Sequence, residues 1–248
     1  MSGLADFGVL LARLLDYRKL NVDDLSVLSG IPLSELRPVL GGALPDSSLF
    51  ERLAPALGLH TADLIVMAGA PVPGELAPQE RRAGGLVPAL AGYALKLPPQ
   101  SRRRLLAFTR SLPQHNRAAP VPAQKTYEQY PPSFGALLLR MLGNRNLDWG
   151  STAQLLYLLR GLVLSGSTVG MVGHGRKEVD ASLLAGFAAV LGIPVGELAA
   201  LGGIDLPGGI FPLDPAVGDV AELIWQTRRL TADQVEQARS EARSLQQG

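Results

Sequence analysis

A glycine-rich stretch, LVLSGSTVGMVGHGRKEVD (residues 162–180), has the composition of a phosphate-binding loop. Gly170 and Gly175 have the spacing of the two glycines in a Walker A motif, whose backbone N–H groups surround nucleotide phosphates. The motif then requires Lys followed by Ser or Thr, because the hydroxyl binds Mg²⁺. Here Arg176 and Lys177 follow, and no strand pattern precedes the stretch. The spacing therefore argues against nucleotide hydrolysis.

No other group of residues has the spacing that catalysis or metal binding requires. His60, His115 and His174 each stand alone, on a predicted loop or turn. The chain contains no cysteine, which excludes disulfides, cysteine-ligated zinc and thiol catalysis. The sequence therefore predicts no enzyme, no cofactor and no metal site.

The composition is that of a globular protein with substantial cores. Of the 248 residues, 47% are hydrophobic and 18% are charged, and the net charge is only +1. The most apolar window, residues 155–172, contains Arg160, which costs about 2.5–3.5 kcal/mol in a membrane. We therefore expect a buried helix and a turn there, no membrane span, and a cytoplasmic protein.

The chain matches itself in three blocks. FGVLLARLLDYRKL (7–20) and FGALLLRMLGNRNL (134–147) share eight of fourteen residues at an offset of 127, among them the pairs Gly8/Gly135 and Arg18/Arg145. Residues 47–69 match 181–203 at an offset of 134, so seven extra residues lie between 147 and 180 in the second copy. Residues 87–112 match 220–245 at an offset of 133. We interpret this pattern as a tandem duplication.

Five segments follow from the repeat. No stretch alternates with period two, so every element outside the linker is predicted to be helical. Each copy ends in a helical hairpin, whose second helix begins at Pro99 in one copy and at the capping-box sequence Thr231–Gln234 in the other. We name the segments the first unit (1–70), the first hairpin (71–112), the Pro-rich and exposed linker (113–132), the second unit (133–204) and the second hairpin (205–248).

The first unit has a recognisable order of short helices. A helix over residues 5–18 precedes Asn21, which is an N-cap candidate for the next helix, and Gly30 provides the left-handed turn after it. Two short helices around this turn are predicted to bury one shared apolar face, formed by Leu25, Leu28, Ile31 and Leu36.

This order resembles the lambda-repressor and Cro-like (XRE-type) helix-turn-helix family over about sixty residues without gaps. The matching residues are Leu25, Gly30, Ile31, Leu36, Gly42, Pro45, Leu53, Ala54, Leu57, Gly58 and Leu64. The second unit retains the first helix and Leu191–Gly192–Ile193, but diverges at the third helix. The resemblance implies an all-α fold: a tandem duplication of a five-helix helix-turn-helix domain, each copy followed by its hairpin.

The resemblance also implies double-stranded DNA as the partner and transcription regulation as the function. In this family the first residues of the third helix contact base edges. Ser34 and Arg37 suit that role in the first unit, whereas Glu35 repels phosphate and Pro38 is expected to shorten or kink the helix. In the second unit the third helix falls on the glycine-rich stretch. The candidate DNA contacts there are Ser167, Thr168 (aligned with Ser34), His174, Arg176 and Lys177, after Ser165 as N-cap.

Two features leave the function open. The glycines predict a poor helix, and they indicate either close approach to a phosphate or partner helix, or simply a flexible loop. The first unit carries five basic and eight acidic residues, whereas residues 71–130 carry nine basic and three acidic ones. Arg102, Arg103 and Arg104 in this basic segment are therefore further candidates for DNA phosphate contact.

Two functions are compatible with these observations. The first is a DNA-binding transcriptional regulator whose two fused helix-turn-helix units recognise an asymmetric site. The second is a protein-interaction or scaffold protein whose helix-turn-helix folds have lost DNA binding. Apolar stripes on the hairpins then offer an interface for a homodimer or a protein partner. These stripes contain Leu86, Leu90, Tyr93 and Leu97, and Val220, Leu223, Ile224 and Trp225.

Overall fold

The computed structural model describes residues 5–114, 125–206 and 215–247, and these residues form an all-helical structure without a β-strand. The helices of the first unit are α1 (Phe7–Arg18), α2 (Val22–Ser29), α3 (Leu33–Leu40), α4 (Ser47–Ala56) and α5 (Thr61–Met67). The first hairpin contains α6 (Arg81–Gly84), α7 (Val87–Lys96) and α8 (Pro99–Ser111).

A 3-10 turn in the linker, Thr126–Glu128, leads to the second half of the chain. The helices of the second unit are α9 (Phe134–Asn144), α10 (Trp149–Arg160), α11 (Gly166–Gly173), α12 (Ala181–Leu191) and α13 (Val195–Gly202). The second hairpin contains α14 (Pro215–Thr227) and α15 (Ala232–Gln247).

The helix boundaries confirm the predicted local signals. Asn21 caps α2 in a reciprocal capping box with Asp24, and Gly30 ends that helix at φ 64°. Thr231 and Gln234 exchange the two hydrogen bonds of a capping box at the start of α15. These caps satisfy backbone groups that a helix end otherwise leaves without partners.

The apolar face predicted around the first turn forms only in part. Leu25, Ile31 and Leu36 are fully buried, as expected, but Leu28 is 56% exposed. The prediction is therefore wrong for Leu28. It lies in the last turn of the eight-residue α2, at the edge of the face through which α2 contacts α3 and α4.

The two hairpins pack against each other within the chain. Helix α7 lies against α14 and α15, and α8 lies against the same two helices, so the four form a bundle. Leu90, Leu97, Val220, Leu223 and Ile224 from the two apolar stripes are buried in this bundle. Since the stripes face each other, they give no support to a homodimer through the hairpins.

The second unit lies at the centre of the molecule. Its helix α10 packs against α7, its α12 against α14, its α9 against α5 and its α13 against α1. By contrast, α2, α3 and α4 of the first unit pack chiefly within their own unit. Helix α11 likewise packs chiefly against α9 and α10 of its own unit.

The apolar window over residues 155–172 is broken at Gly161, which ends α10 with φ 69°. In the described part of the chain, no single helix is long and apolar enough to cross a membrane. Only α12 and α13 together reach that length and composition, and they are bent by 118° at the break between them.

Candidate nucleic-acid interface

The glycine-rich stretch forms the regular helix α11, which Ser165 caps as predicted. Gly166, Gly170 and Gly173 are four and three residues apart, so they lie next to one another on one face of this helix. A Cβ atom on Gly170 would lie 2.7 Å from the Trp149 ring, and one on Gly173 would lie 2.6 Å from the Tyr130 ring. The glycines therefore permit close approach of packing partners, and the flexible-loop interpretation is wrong.

The hydroxyl groups at the start of α11 form one small network. Ser165 Oγ accepts a hydrogen bond from the Thr168 backbone N–H at 3.2 Å. The same oxygen lies 2.7 Å from Ser167 Oγ and 2.9 Å from Thr168 Oγ1. Ser167 is exposed and Thr168 is half-buried, so Ser167 is the better placed of the two to meet a ligand.

The residues after α11 divide between two roles. His174 Nε2 donates to the Tyr127 carbonyl oxygen at 3.0 Å, so this nitrogen holds the end of the linker. Arg176 is exposed, and Lys177 lies 3.8 Å from Asp180. Of the three predicted contacts, Arg176 is the most available.

An aromatic cluster, formed by Tyr127, Tyr130, Trp149 and His174, joins the linker to the second unit. Trp149 Nε1 donates to Tyr130 Oη at 2.6 Å, and edge-to-face contacts connect the four rings. Burial raises the pKa of Tyr130, which further favours the neutral phenol. The linker was predicted to be exposed; its end instead packs onto the second unit, and residues 115–124 lie outside the described residues. Two tyrosines in a Pro-rich segment were the signal for this contact.

The third helix of the first unit presents a mixed surface. Ser34 and Arg37 are exposed on α3, as DNA contact requires. Glu35 lies 3.6 Å from Arg52, which partly neutralises its charge. Pro38 does not end the helix, since α3 continues to Leu40.

The two third helices match in length and in burial. Both α3 and α11 have eight residues, and Leu36 and Val39 are buried in one as Val169 and Val172 are in the other. This register is an offset of 133, so Ser34 corresponds to Ser167. The sequence-based alignment of Ser34 with Thr168 uses the offset of the following helix and differs from this register by one residue.

The seven extra residues of the second unit are spread over three places. Helix α10 has 12 residues, whereas α2 has 8, which lengthens it by about one turn. The turn before the third helix is two residues longer, and the loop after it is one residue longer. The insertion therefore leaves the eight-residue third helix itself unchanged in length.

The arginine triplet lies on α8, in the bundle of hairpin helices. Arg102 is only 8% exposed; its Nε donates to Asp219 Oδ2 at 2.9 Å and its Nη1 to the Leu97 carbonyl at 2.6 Å. Arg102 was predicted to contact DNA, but it is not available for that role, because its guanidinium forms hydrogen bonds inside the protein. Arg103 and Arg104 are exposed. Helix α8 packs chiefly against the other hairpin helices.

Two ion pairs join the units, and sequence reasoning missed both. Arg145 and Asp63 are fully buried and bond in a bidentate manner at 3.0 and 3.1 Å. Arg18 bonds to both carboxylate oxygens of Glu197 at 2.7 and 2.9 Å. The identity of Arg18 and Arg145 in the repeat was the signal that could have pointed to them.

A pair of stacked rings lies beside the buried ion pair. The His60 ring stacks on Trp225, with ring centroids 3.4 Å apart and nearly parallel planes. Burial, and then the charge of Arg145, lower the pKa of His60 to about 4. His60 is therefore neutral at pH 7. The Arg228 guanidinium lies 3.9 Å from the centroid of the Trp225 ring, and burial lowers its pKa to about 10.

The candidate interface is thus formed by exposed polar groups on α3 and on or just after α11: Ser34, Arg37, Ser167 and Arg176. Among the residues that the structure describes, no group of three His, Asp or Glu side chains is arranged to hold a metal ion. No protein-family model, curated protein or solved structure matches the chain.

Proposed function

We propose that this chain is a DNA-binding transcriptional regulator in which two helix-turn-helix units form a pseudo-dimer. The reciprocal contact between the units carries the proposal. Helix α1 packs against α13 and α9 against α5, which are corresponding pairs under the proposed repeat. The ion pairs Arg18–Glu197 and Arg145–Asp63 correspond in the same way, at offsets of 127 and 134. In a two-fold dimer, each contact occurs twice with the partners exchanged.

The packing of the third helices supports the same proposal. A Cβ atom on Gly8 would lie 2.7 Å from the Val39 carbonyl oxygen at the end of α3. A Cβ atom on Gly135 would collide with the carbonyl oxygen of Val172 at the corresponding position of α11. The shared glycine thus brings the first helix against the end of the third helix in each unit. Two third helices held in equivalent positions are what helix-turn-helix dimers present to two DNA half-sites.

The two reading surfaces are chemically different, so the proposed site is asymmetric. On α3 the exposed polar groups are Ser34 and Arg37, beside the Glu35–Arg52 pair. On and after α11 they are Ser167 and Arg176. Arg37 and Arg176 form no ion pair within the described residues, so both guanidinium groups are available for phosphates or guanine edges.

The decisive experiment is selection of DNA from a random library by the purified chain, followed by fluorescence anisotropy on the selected sequence. Arg37→Ala and Arg176→Ala are each expected to weaken binding about tenfold and to reduce the salt dependence by about one released ion. Lys96→Ala, on the exposed end of α7, is the matched control and is expected to bind like the parent. Failure to enrich any sequence, with no binding at low salt, would overturn the proposal.

A second candidate function is a protein-interaction module. Val27, Leu28 and Leu44 of the first unit are 84%, 56% and 65% exposed, in a unit with more acidic than basic residues. Adjacent exposed apolar side chains, such as those of Val27 and Leu28, are typical of interaction surfaces. If this function holds, Val27→Asp with Leu28→Asp abolishes self-association measured by light scattering. A parent chain that is strictly monomeric counts against association through this surface.

A further inference from the structure

A cavity of about 700 Å³ lies where the first unit, the start of the first hairpin segment, the end of the linker and the second unit meet. Val66 and Gly69–Val72 line it from the end of α5, and Leu139, Leu147 and Trp149 line it from α9 and α10. Sites for small organic ligands have volumes of about 300–1,000 Å³ and walls that are mostly apolar with a few polar groups. This cavity has such a volume, and its wall is more apolar than polar, with two arginines and two carboxylates among its polar groups.

The charged side chains that line the cavity differ in whether an opposite charge or a hydrogen bond stabilises them. Arg81 forms an ion pair with Glu128. Asp148 accepts a hydrogen bond from the Ser151 N–H at 2.7 Å and lies at the N-terminus of α10, where the helix dipole stabilises a carboxylate. Arg140 donates only one long hydrogen bond, of 3.3 Å, to the Tyr130 carbonyl oxygen. In the described part of the chain no carboxylate forms an ion pair with it.

We propose that this cavity binds a small, largely aromatic or aliphatic organic anion, with its carboxylate or sulfonate on Arg140 and its apolar part against Trp149 and Leu147. A planar guanidinium with free N–H groups is the side chain best suited to such an anion. The apolar walls supply the remaining binding energy, since burial of apolar surface is favourable in proportion to its area.

The cavity contacts the two features that organise the molecule. Asn144 lines it and donates a hydrogen bond of 2.8 Å to Asp63 in the buried ion pair between the units. Trp149 lines it and lies against Gly170 of α11. A bound anion therefore lies beside Asn144, which contacts the ion pair between the units, and beside Trp149, which packs against α11. Its binding is independent of the proposed DNA-binding function and is measured without DNA.

The test uses two fluorescent probes with the same ring system. 8-Anilinonaphthalene-1-sulfonate carries an anionic group, and N-phenyl-1-naphthylamine lacks it. Both are expected to bind the purified chain, and the anionic probe more tightly. Arg140→Gln is expected to weaken the anionic probe at least about tenfold and to leave the neutral probe within about twofold. Arg160→Gln, at the end of α10 and outside the cavity, is the matched control.

A second variant tests the location of the probe. Gly143 lines the cavity, and a Cβ atom there would meet no atom within 4 Å, so Gly143→Phe fills the space without a collision at the backbone. It is expected to weaken both probes at least about tenfold. Gly218→Phe places the same side chain at an open helical glycine of α14, outside the cavity. It is expected to bind both probes like the parent.

Three outcomes overturn the proposal. The first is no binding of either probe to the parent chain at about millimolar concentration. The second is unchanged binding to Gly143→Phe when circular dichroism shows that the variant is folded. The third is an equal loss of affinity for both probes in Arg140→Gln, because Arg140 would then make no specific contribution to binding the anionic group. Should Gly143→Phe fail to fold, the Arg140→Gln comparison decides by itself.

Discussion

The first and second units contain corresponding helices in different surroundings. Helix α4 of the first unit buries only Leu49, Phe50, Leu53 and Ala54, and its other side faces solvent. Helix α12, its counterpart, buries nine consecutive residues, 183–191, because it lies between its own unit and α14. A helix carries polar residues on the side that faces solvent, and few of them where another element covers that side. The central position of the second unit therefore explains why the sequence of α12 is more apolar than that of α4.

The two ion pairs between the units differ in the same direction. Arg145 and Asp63 are fully buried, whereas the side chains of Arg18 and Glu197 keep 21% and 13% of their surface exposed. A buried pair has lost its hydration, so removing one partner leaves an uncompensated charge. A partly exposed pair is rehydrated when one partner is lost. Equivalent contacts therefore differ in their importance for stability.

The largest expected effect separates these two pairs. Arg145→Met is expected to lower the free energy of unfolding by about 3–5 kcal/mol, since it leaves Asp63 buried and charged. Arg18→Met is expected to cost only about 1 kcal/mol. Urea denaturation measures both values. Asp63→Asn combined with Arg145→Met is expected to recover part of the loss, and equal effects of the two single variants would contradict the comparison.

The second prediction concerns pH. In the unfolded chain a histidine has a pKa of about 6.5, whereas in the folded protein the pKa of His60 is about 4. Between these values the unfolded state binds a proton that the folded state does not, so stability is full above pH 6.5 and falls towards pH 4. The expected loss is about 2–3 kcal/mol. The position that corresponds to His60 in the second unit is Pro194, so the effect belongs to the first unit alone.

His60→Gln checks this prediction by removing the titrating group. Stability measured by urea denaturation from pH 4 to pH 7 is expected to depend less on pH in the variant than in the parent. His174→Gln, in the second unit, is the control, because the His174 ring lies in the aromatic cluster with Tyr130 and Trp149. An unchanged pH profile in His60→Gln would show that another group is responsible.

The third prediction tests whether the first helix packs against the third helix equally in both units. Gly8→Ala and Gly135→Ala are each expected to cost about 1–3 kcal/mol, because the added methyl group meets a backbone carbonyl. Gly143→Ala, in the same helix as Gly135, meets no atom within 4 Å and is expected to stabilise by about 0.5–1 kcal/mol. Thermal unfolding measures all three. A neutral Gly8→Ala would mean that the two units are packed differently.

The smallest effect is expected at the linker. Tyr130→Phe removes the acceptor for Trp149 Nε1 and is expected to cost about 1 kcal/mol. Tyr157→Phe, on the exposed face of α10, is expected to be neutral. Denaturation followed by tryptophan fluorescence measures both. Equal behaviour of the two variants would show that the linker contact contributes nothing to the stability of the second unit.

Local sequence determined the helices of this protein, because their signals are local. Caps at Asn21, Ser165 and Thr231, the turn at Gly30 and the helical spacing of leucines were sufficient to predict the all-α class, the starts of α2, α11 and α15 and the end of α2. A cap depends on residues three positions apart, and a left-handed turn depends on a single residue. Neither requires knowledge of the rest of the chain.

The tertiary structure decided the roles of the charged residues and the glycines. Arg102 and Arg103 are adjacent in sequence, yet one is buried against Asp219 and the other is exposed. Gly170 has no distinguishing local signal, and its requirement for a missing side chain comes from the Trp149 ring. Likewise, Arg145 meets Asp63 from 82 positions away. Pairing and close packing over such separations depend on how whole helices are arranged, and a pattern of neighbouring residues does not contain that information.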